Sequence, residues 1–109
     1  MPKFVMRRKL GSLREEDLIS LLEEINCDLI SEWYPEARTE VLIARCRTPE
    51  GKTETKFFLP AVKTAVEDMR PVYDVYLYEL SEEEVDELGD YALGKKLEYP
   101  EFLKKILIT

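Results

Sequence analysis

The chain has 109 residues, 45% of them apolar and 36% charged, with a formal net charge of −7. That length suits one domain able to bury a core without disulfides or metals, and the apolar content excludes a disordered chain. There is no histidine, which removes the commonest general base, the commonest metal ligand and every Ser-His or Cys-His triad.

The longest apolar runs fall far short of a membrane span. The opening "MPKFVMRRKL" is basic, but no apolar stretch follows it, so a secretory signal is not expected and a cytoplasmic location is. Glutamine is absent, Asn26 is the single asparagine, and Glu, Lys and Arg are abundant. That is the composition of a thermophile's protein. Cys27 and Cys46 lie too far apart for a CxxC motif. They are expected as free, mostly buried thiols, a disulfide requiring an oxidising compartment or a hyperthermophile.

In chain order, "KFVMRRK" reads as a first strand, with Phe4 and Met6 on one face and Val5 on the other. "SLREEDLISLLEEINCDLISEWYPE" reads as one long amphipathic helix with Ser12 as N-cap and Glu15 at capping-box spacing. Leu18, Leu21, Leu22, Ile25, Leu29 and Trp33 recur at helical spacing, and Pro35 closes the segment. "TEVLIARCR" and "TETKFFL" flank the turn "TPEGK" and predict a hairpin. "PAVKTAVEDMR" then places Val62, Ala65, Val66 and Met69 at i, i+3, i+4 and i+7, predicting a second helix between Pro60 and Pro71. "PVYDVYLYEL" is the last strand of this unit. Tyr73, Val75 and Leu77 point one way, and Val72, Tyr76, Tyr78 and Leu80 the other.

The predicted fold is therefore α+β, a ferredoxin-like βαββαβ antiparallel sheet over residues 1–80 with two helices on one face. Residues 81–109 form a C-terminal helical tail packed on the same domain. Ser81 and Glu84 repeat the capping box, Gly89 reads as a helix stop, and a last helix or strand follows Pro100. Its Phe102, Leu103, Ile106, Leu107 and Ile108 need burial. The strand at Tyr73–Leu80 is apolar on both faces, so the second sheet face must also be covered, by another copy of the chain or by the tail.

The start "MPKFVMRRKLG", with Arg8 ahead of Gly11, and the Leu59-Pro60-Ala61 step resemble a family of small ferredoxin-like domains. These are short, mostly uncharacterised bacterial proteins beginning M-P-K-F or M-P-K-Y, some of which bind nickel. The resemblance covers residues 1–80 and implies the fold and a dimeric α+β-barrel habit. The family's metal site uses histidines, commonly in the second helix, where this chain has "AVEDMR". The nickel role is therefore not carried across. The loop before the last strand is shorter, and the tail after Leu80 is an addition.

Two groups of residues are candidate sites. In a ferredoxin-like sheet Arg7, Arg8, Lys9, Arg45 and Arg47 would gather at one edge as an anion site for phosphate or nucleic acid. The competing expectation is that they pair with the acidic helix that begins at Glu15. Tyr73, Tyr76 and Tyr78 with Asp74, joined by Trp33 and Tyr34, would line a ligand cavity or a dimer interface. The run "ELSEEEVDELGD" holds seven acids in twelve residues but lacks calcium-loop spacing, so a solvated helix is expected. Glu67, Asp68 and Asp74 are the carboxylates left for acid–base chemistry, and nothing in their spacing singles them out.

The function expected is a non-enzymatic binding or interaction module, homodimeric through the sheet face, with no cofactor and no metal. The alternatives are a dimeric α+β-barrel enzyme acting on a small molecule, with Tyr76, Asp74 and Arg8 in its cavity, and a nucleic-acid accessory using the basic edge. The net negative charge weighs against the last.

Overall fold

The computed structural model describes residues 1–107. The elements are β1 (Lys3–Leu10), α1 (Glu15–Glu23), β2 (Cys27–Glu36), β3 (Thr39–Arg47), β4 (Thr53–Glu67), β5 (Arg70–Leu80), α2 (Glu82–Ala92) and α3 (Glu101–Leu107). The five strands form one sheet in the order β1-β5-β4-β3-β2, and every neighbouring pair is antiparallel. The α+β class stands, but the strand order and the number of strands depart from the βαββαβ expectation. Two segments predicted as helix are strands, and each has a local reason.

The first is the C-terminal half of the long predicted helix. Here α1 ends at Glu23, and Asn26 takes a left-handed backbone with φ 60°, which Asn tolerates better than most residues. The chain turns there and leaves as β2. The apolar spacing that looked helical survives because β2 is bulged between Leu29 and Ser31. A bulge swaps the face of every later side chain. Leu29 thus packs with the α1 side of the sheet, and Trp33 with the other side.

The start of α1 also differs in detail. Its N-cap is Arg14, and Asp17 reaches back to accept the Arg14 backbone N–H at 2.7 Å and the Ser12 hydroxyl at 2.9 Å. These two donors hold the Asp17 carboxyl below the usual carboxylate range.

The second departure is the segment 60–70, which continues β4 to Glu67 and turns back into β5. Asp68 and Met69, at φ 50° and 65°, form a two-residue hairpin that registers Glu67 opposite Arg70. Turns of this left-handed kind match the strand twist. Val62 and Val66 are β-branched and sit well on a pleated surface. The β3–β4 ladder ends at Leu42 opposite Phe58, just before Pro60, which has no N–H to give it. β4 then runs on beside β5 alone.

β1 is a strand as expected, with one change. A bulge between Phe4 and Met6 puts them on opposite faces, Met6 in the α1-side core and Phe4 against Tyr76 and Tyr78.

The two faces are covered differently. On one, Leu18, Leu21 and Leu22 of α1 pack on Met6, Leu42, Ala44, Phe58, Val75 and Leu77. On the other, Leu88 of α2 and Phe102, Leu103 and Ile106 of α3 pack on Val41, Leu59, Ala61 and Leu80. The tail is thus what covers the second face, and the helices lie one on one side and two on the other. Ile108, also expected to be buried, lies outside the described residues. The Ser81 capping box forms, with the Glu84 N–H donating to Ser81 Oγ at 3.2 Å and the Ser81 N–H to Glu84 Oε1 at 2.9 Å. The helix does not stop at Gly89 but runs to Ala92, ahead of Gly94 at φ 76°.

Placing Cys27 on β2 brings it opposite Cys46 on β3, and the two are joined in a disulfide. The expectation of free thiols rested on how often Cys packs as a small hydrophobe, and strand pairing overturns it. In the sheet the pair is buried and directly cross-strand.

Candidate functional site

The register of β1, β5 and β4 sets three rows of side chains on the face that carries α2 and α3. Phe4, Tyr78 and Leu59 form one row, Arg7, Tyr76 and Ala61 the next, and Lys9, Asp74 and Lys63 the third. The described residues leave part of this face uncovered beside the last turn of α3. A recess of about 130 Å³ lies there, lined by Ala61, Val62, Lys63, Tyr76 and Tyr78 of the sheet and Lys105, Ile106 and Leu107 of α3.

Arg7 grips Asp74 with both ends of its fork, Nε to Oδ1 and Nη2 to Oδ2, each at 2.8 Å. Such bidentate pairs are the geometrically strongest ion pairs. The Arg7 hydrogen bonds hold the Asp74 carboxyl below its ordinary range, helped by the charges of Arg7 and Lys9. The Tyr76 hydroxyl donates weakly to the same carboxylate at 3.5 Å. Asp74 is therefore an ionised anchor and not a proton donor at neutral pH. Arg7 also stacks over the Tyr76 ring at 4.9 Å, and the Lys63 ammonium stands 5.5 Å from the same ring, both within cation–π reach.

The charge balance of the recess follows. Arg7 is neutralised by Asp74, and Lys9 by Glu67 at 3.4 Å. Lys63 and Lys105 have no acidic partner among the described residues. What remains is a small aromatic-floored hollow lined by two lysines without an acidic partner among the described residues, of which Lys105 also borders a second hollow with Glu83, Glu84, Glu87 and Glu101. Chemically it can hold an anion, the rings supplying contact area and the lysines the charge.

The residues proposed from sequence divide unevenly over this geometry. Arg7, Lys9, Asp74, Tyr76 and Tyr78 come together. Tyr73 points to the α1 side with Val75 and Leu77. Arg8 is paired with Glu24 at 2.7 Å, beyond the end of α1, so the cavity expected to join Arg8 to Tyr76 and Asp74 does not form.

Arg45 and Arg47 sit on β3 opposite Thr55 and Thr53 of β4, whereas Arg7 is level with Ala61. Six residues of β4, about 20 Å, separate the two levels, so the five-residue basic edge is not assembled. Arg7, Arg8 and Lys9 do pair with acids, but with Asp74, Glu24 and Glu67, so of the pairing expected with the helix that begins at Glu15 only the Arg8 contact, just past the end of that helix, is found. Trp33 belongs to the core beneath α2 and α3. Tyr34 lies exposed on β2, its hydroxyl between the carboxylates of Glu40 and Glu32 at 2.6 and 2.7 Å. Those hydrogen bonds raise its pKa well above the ordinary tyrosine value.

Lys63 and Lys105 were missed. The first stood on a segment taken for a helix, and the second on a tail whose path the residue pattern did not define. The signal available for Lys63 was the Thr, Val and Phe content of "TETKFFLPAVKTAV" ahead of a two-residue turn.

Among the described residues no group of His, Cys, Asp and Glu could hold a metal ion, and no helix is long and apolar enough to cross a membrane. No family model, no curated protein and no solved structure matches the chain.

Proposed function

We propose that this protein is a non-enzymatic binding module that takes a small anion, or the anionic end of a small molecule, in the recess over Tyr76. The observation that carries this reading is the convergence of Lys63 and Lys105, both without acidic partners among the described residues, on a hollow floored by Tyr76 and Tyr78. The recess of about 130 Å³ falls below the roughly 300 Å³ at which drug-sized sites begin, a size that suits a phosphate or carboxylate group. Asp74 is committed to Arg7, which leaves the recess without a free carboxylate and supports binding over carboxylate-driven catalysis.

Calorimetric titration with inorganic phosphate tests the reading. The expected result is saturable binding that weakens with added salt and disappears in the Lys63→Ala, Lys105→Ala double variant. Binding that persists unchanged in that variant would remove the recess from consideration.

A further inference from the structure

We propose that the free edge of β4 is a self-pairing surface, and that a second copy of this chain docks there antiparallel, strand to strand. Beyond Phe58 the strand has a hydrogen-bonded neighbour on the β5 side alone, so residues 60–67 present unpaired backbone groups along one edge. Edges of this kind invite another strand unless they are blunted. Natural blunting uses charged side chains, lysine above all, proline, bulges or cover, and Pro60 and Lys63 are of that kind. The edge nonetheless carries one cation and one anion, Lys63 and Glu67, four residues apart on the same face and both exposed. Glu67 stands 3.4 Å from Lys9 of its own chain in a half-exposed pair, so a second cation can still reach it.

That spacing specifies how two copies meet. In an antiparallel pair centred on Ala65, Lys63 stands directly opposite the partner's Glu67, twice by symmetry, and the two small Ala65 side chains meet on the axis. Opposite charges across a strand pair attract and like charges repel. Moving the centre to Lys63 would set two lysines face to face. Centring on Thr64 would place both charges opposite alanines, at residues 65 and 61. The Ala65-centred register is thus the one the charges select, and it makes an isologous two-fold contact.

A second feature fits the same register. Met69 at the hairpin tip is 96% exposed, and Val66 beside it 74%. With Ala65 on the axis, the partner's Met69 lies level with Ala61, between Pro60 and Val62. Those two residues line an open notch of about 710 Å³ where β3 has parted from β4, walled by Leu18, Tyr99 and Leu107 and also by the charged Glu36, Arg38 and Glu40. An apolar knob and a partly apolar notch on one chain therefore meet in the register that the charges choose. The contact does not involve the sheet face, which α2 and α3 cover, and it does not depend on the recess being occupied. It continues the sheet from one copy into the other, a known mode of strand recognition.

Sedimentation of the full chain and its variants tests the proposal, with the far-UV dichroism of each variant compared first. The wild-type protein should dimerise. Lys63→Glu and Glu67→Lys alone should each weaken the dimer about tenfold or more, and the two together should restore it. Met69→Asn, which keeps a residue tolerant of the left-handed turn, should weaken the dimer without disturbing the hairpin. A wild-type monomer at the highest soluble concentration would overturn the proposal. So would a dimer indifferent to both charge reversals and to Met69→Asn, or a charge swap that fails to restore association.

Discussion

The side chains around Tyr76 show how a carboxylate that looks like chemistry becomes structure. Asp74 sits at the centre of a strand among tyrosines, which made it a candidate acid or base. Its two oxygens are taken by Arg7, and their hydrogen bonds depress its pKa. The linkage has a definite sign. A carboxyl whose folded pKa lies below its unfolded value of about 3.9 contributes stability at higher pH and loses it as pH falls through the folded pKa. Asp74, and Asp17 at the start of α1, should therefore give a plateau of stability at neutral pH and a loss below about pH 4. Thermal melts from neutral to strongly acid pH check this. Asp74→Asn should lower the plateau and flatten the acid limb, and an acid limb identical to that of the wild type would show that the Arg7 pair does not contribute. The pair was half legible beforehand. The alternation of β5 placed Asp74 and Tyr76 on one face, but the bulge after Phe4, which turns Arg7 towards them, left no mark in residue type.

At the scale of elements, β1, β3, β5 and the capping box of α2 could be found from alternation and capping chemistry. β2 and the far half of β4 could not. In both, apolar residues at spacings of three and four satisfied a helix, while the structure satisfies them through a bulge in β2 and an extended hairpin in β4. Period alone does not separate these cases, and the deciding information is long-range, namely which strand lies alongside. The site inherited the same limit, since Lys63 is visible as a lining residue of the recess only once β4 is known to continue past Pro60. The disulfide is another consequence of pairing. It closes a loop with a sequence separation of 19, for which the loss of chain entropy in the unfolded state predicts about 3 kcal/mol of stabilisation. Denaturant unfolding with and without reductant should show a loss of about that size. Unchanged stability on full reduction would show that the buried cross-strand pair is not needed to hold β2 to β3.

For the whole molecule, the doubly apolar β5 finds its explanation in a sheet covered on both sides by its own chain. α1 takes one face and α2 with α3 the other, and among the described residues the recess lies beside the last turn of α3. The composition, poor in amides and rich in charged residues, together with ion pairs along β1 to Asp74, Glu24 and Glu67, leads us to expect a melting temperature above the mesophile range of about 45–65 °C. Calorimetry of the oxidised protein decides it, and a midpoint inside that range would set the thermophile reading aside.

The small-anion site proposed over Tyr76 is tested by following backbone and lysine side-chain resonances of the full chain during a titration with inorganic phosphate. The expected result is saturable shifts confined to Lys63, Tyr76, Tyr78 and the last turn of α3, with Arg45 and Arg47 unmoved. Shifts centred on Arg45 and Arg47, or spread evenly over all basic residues without saturation, would contradict it.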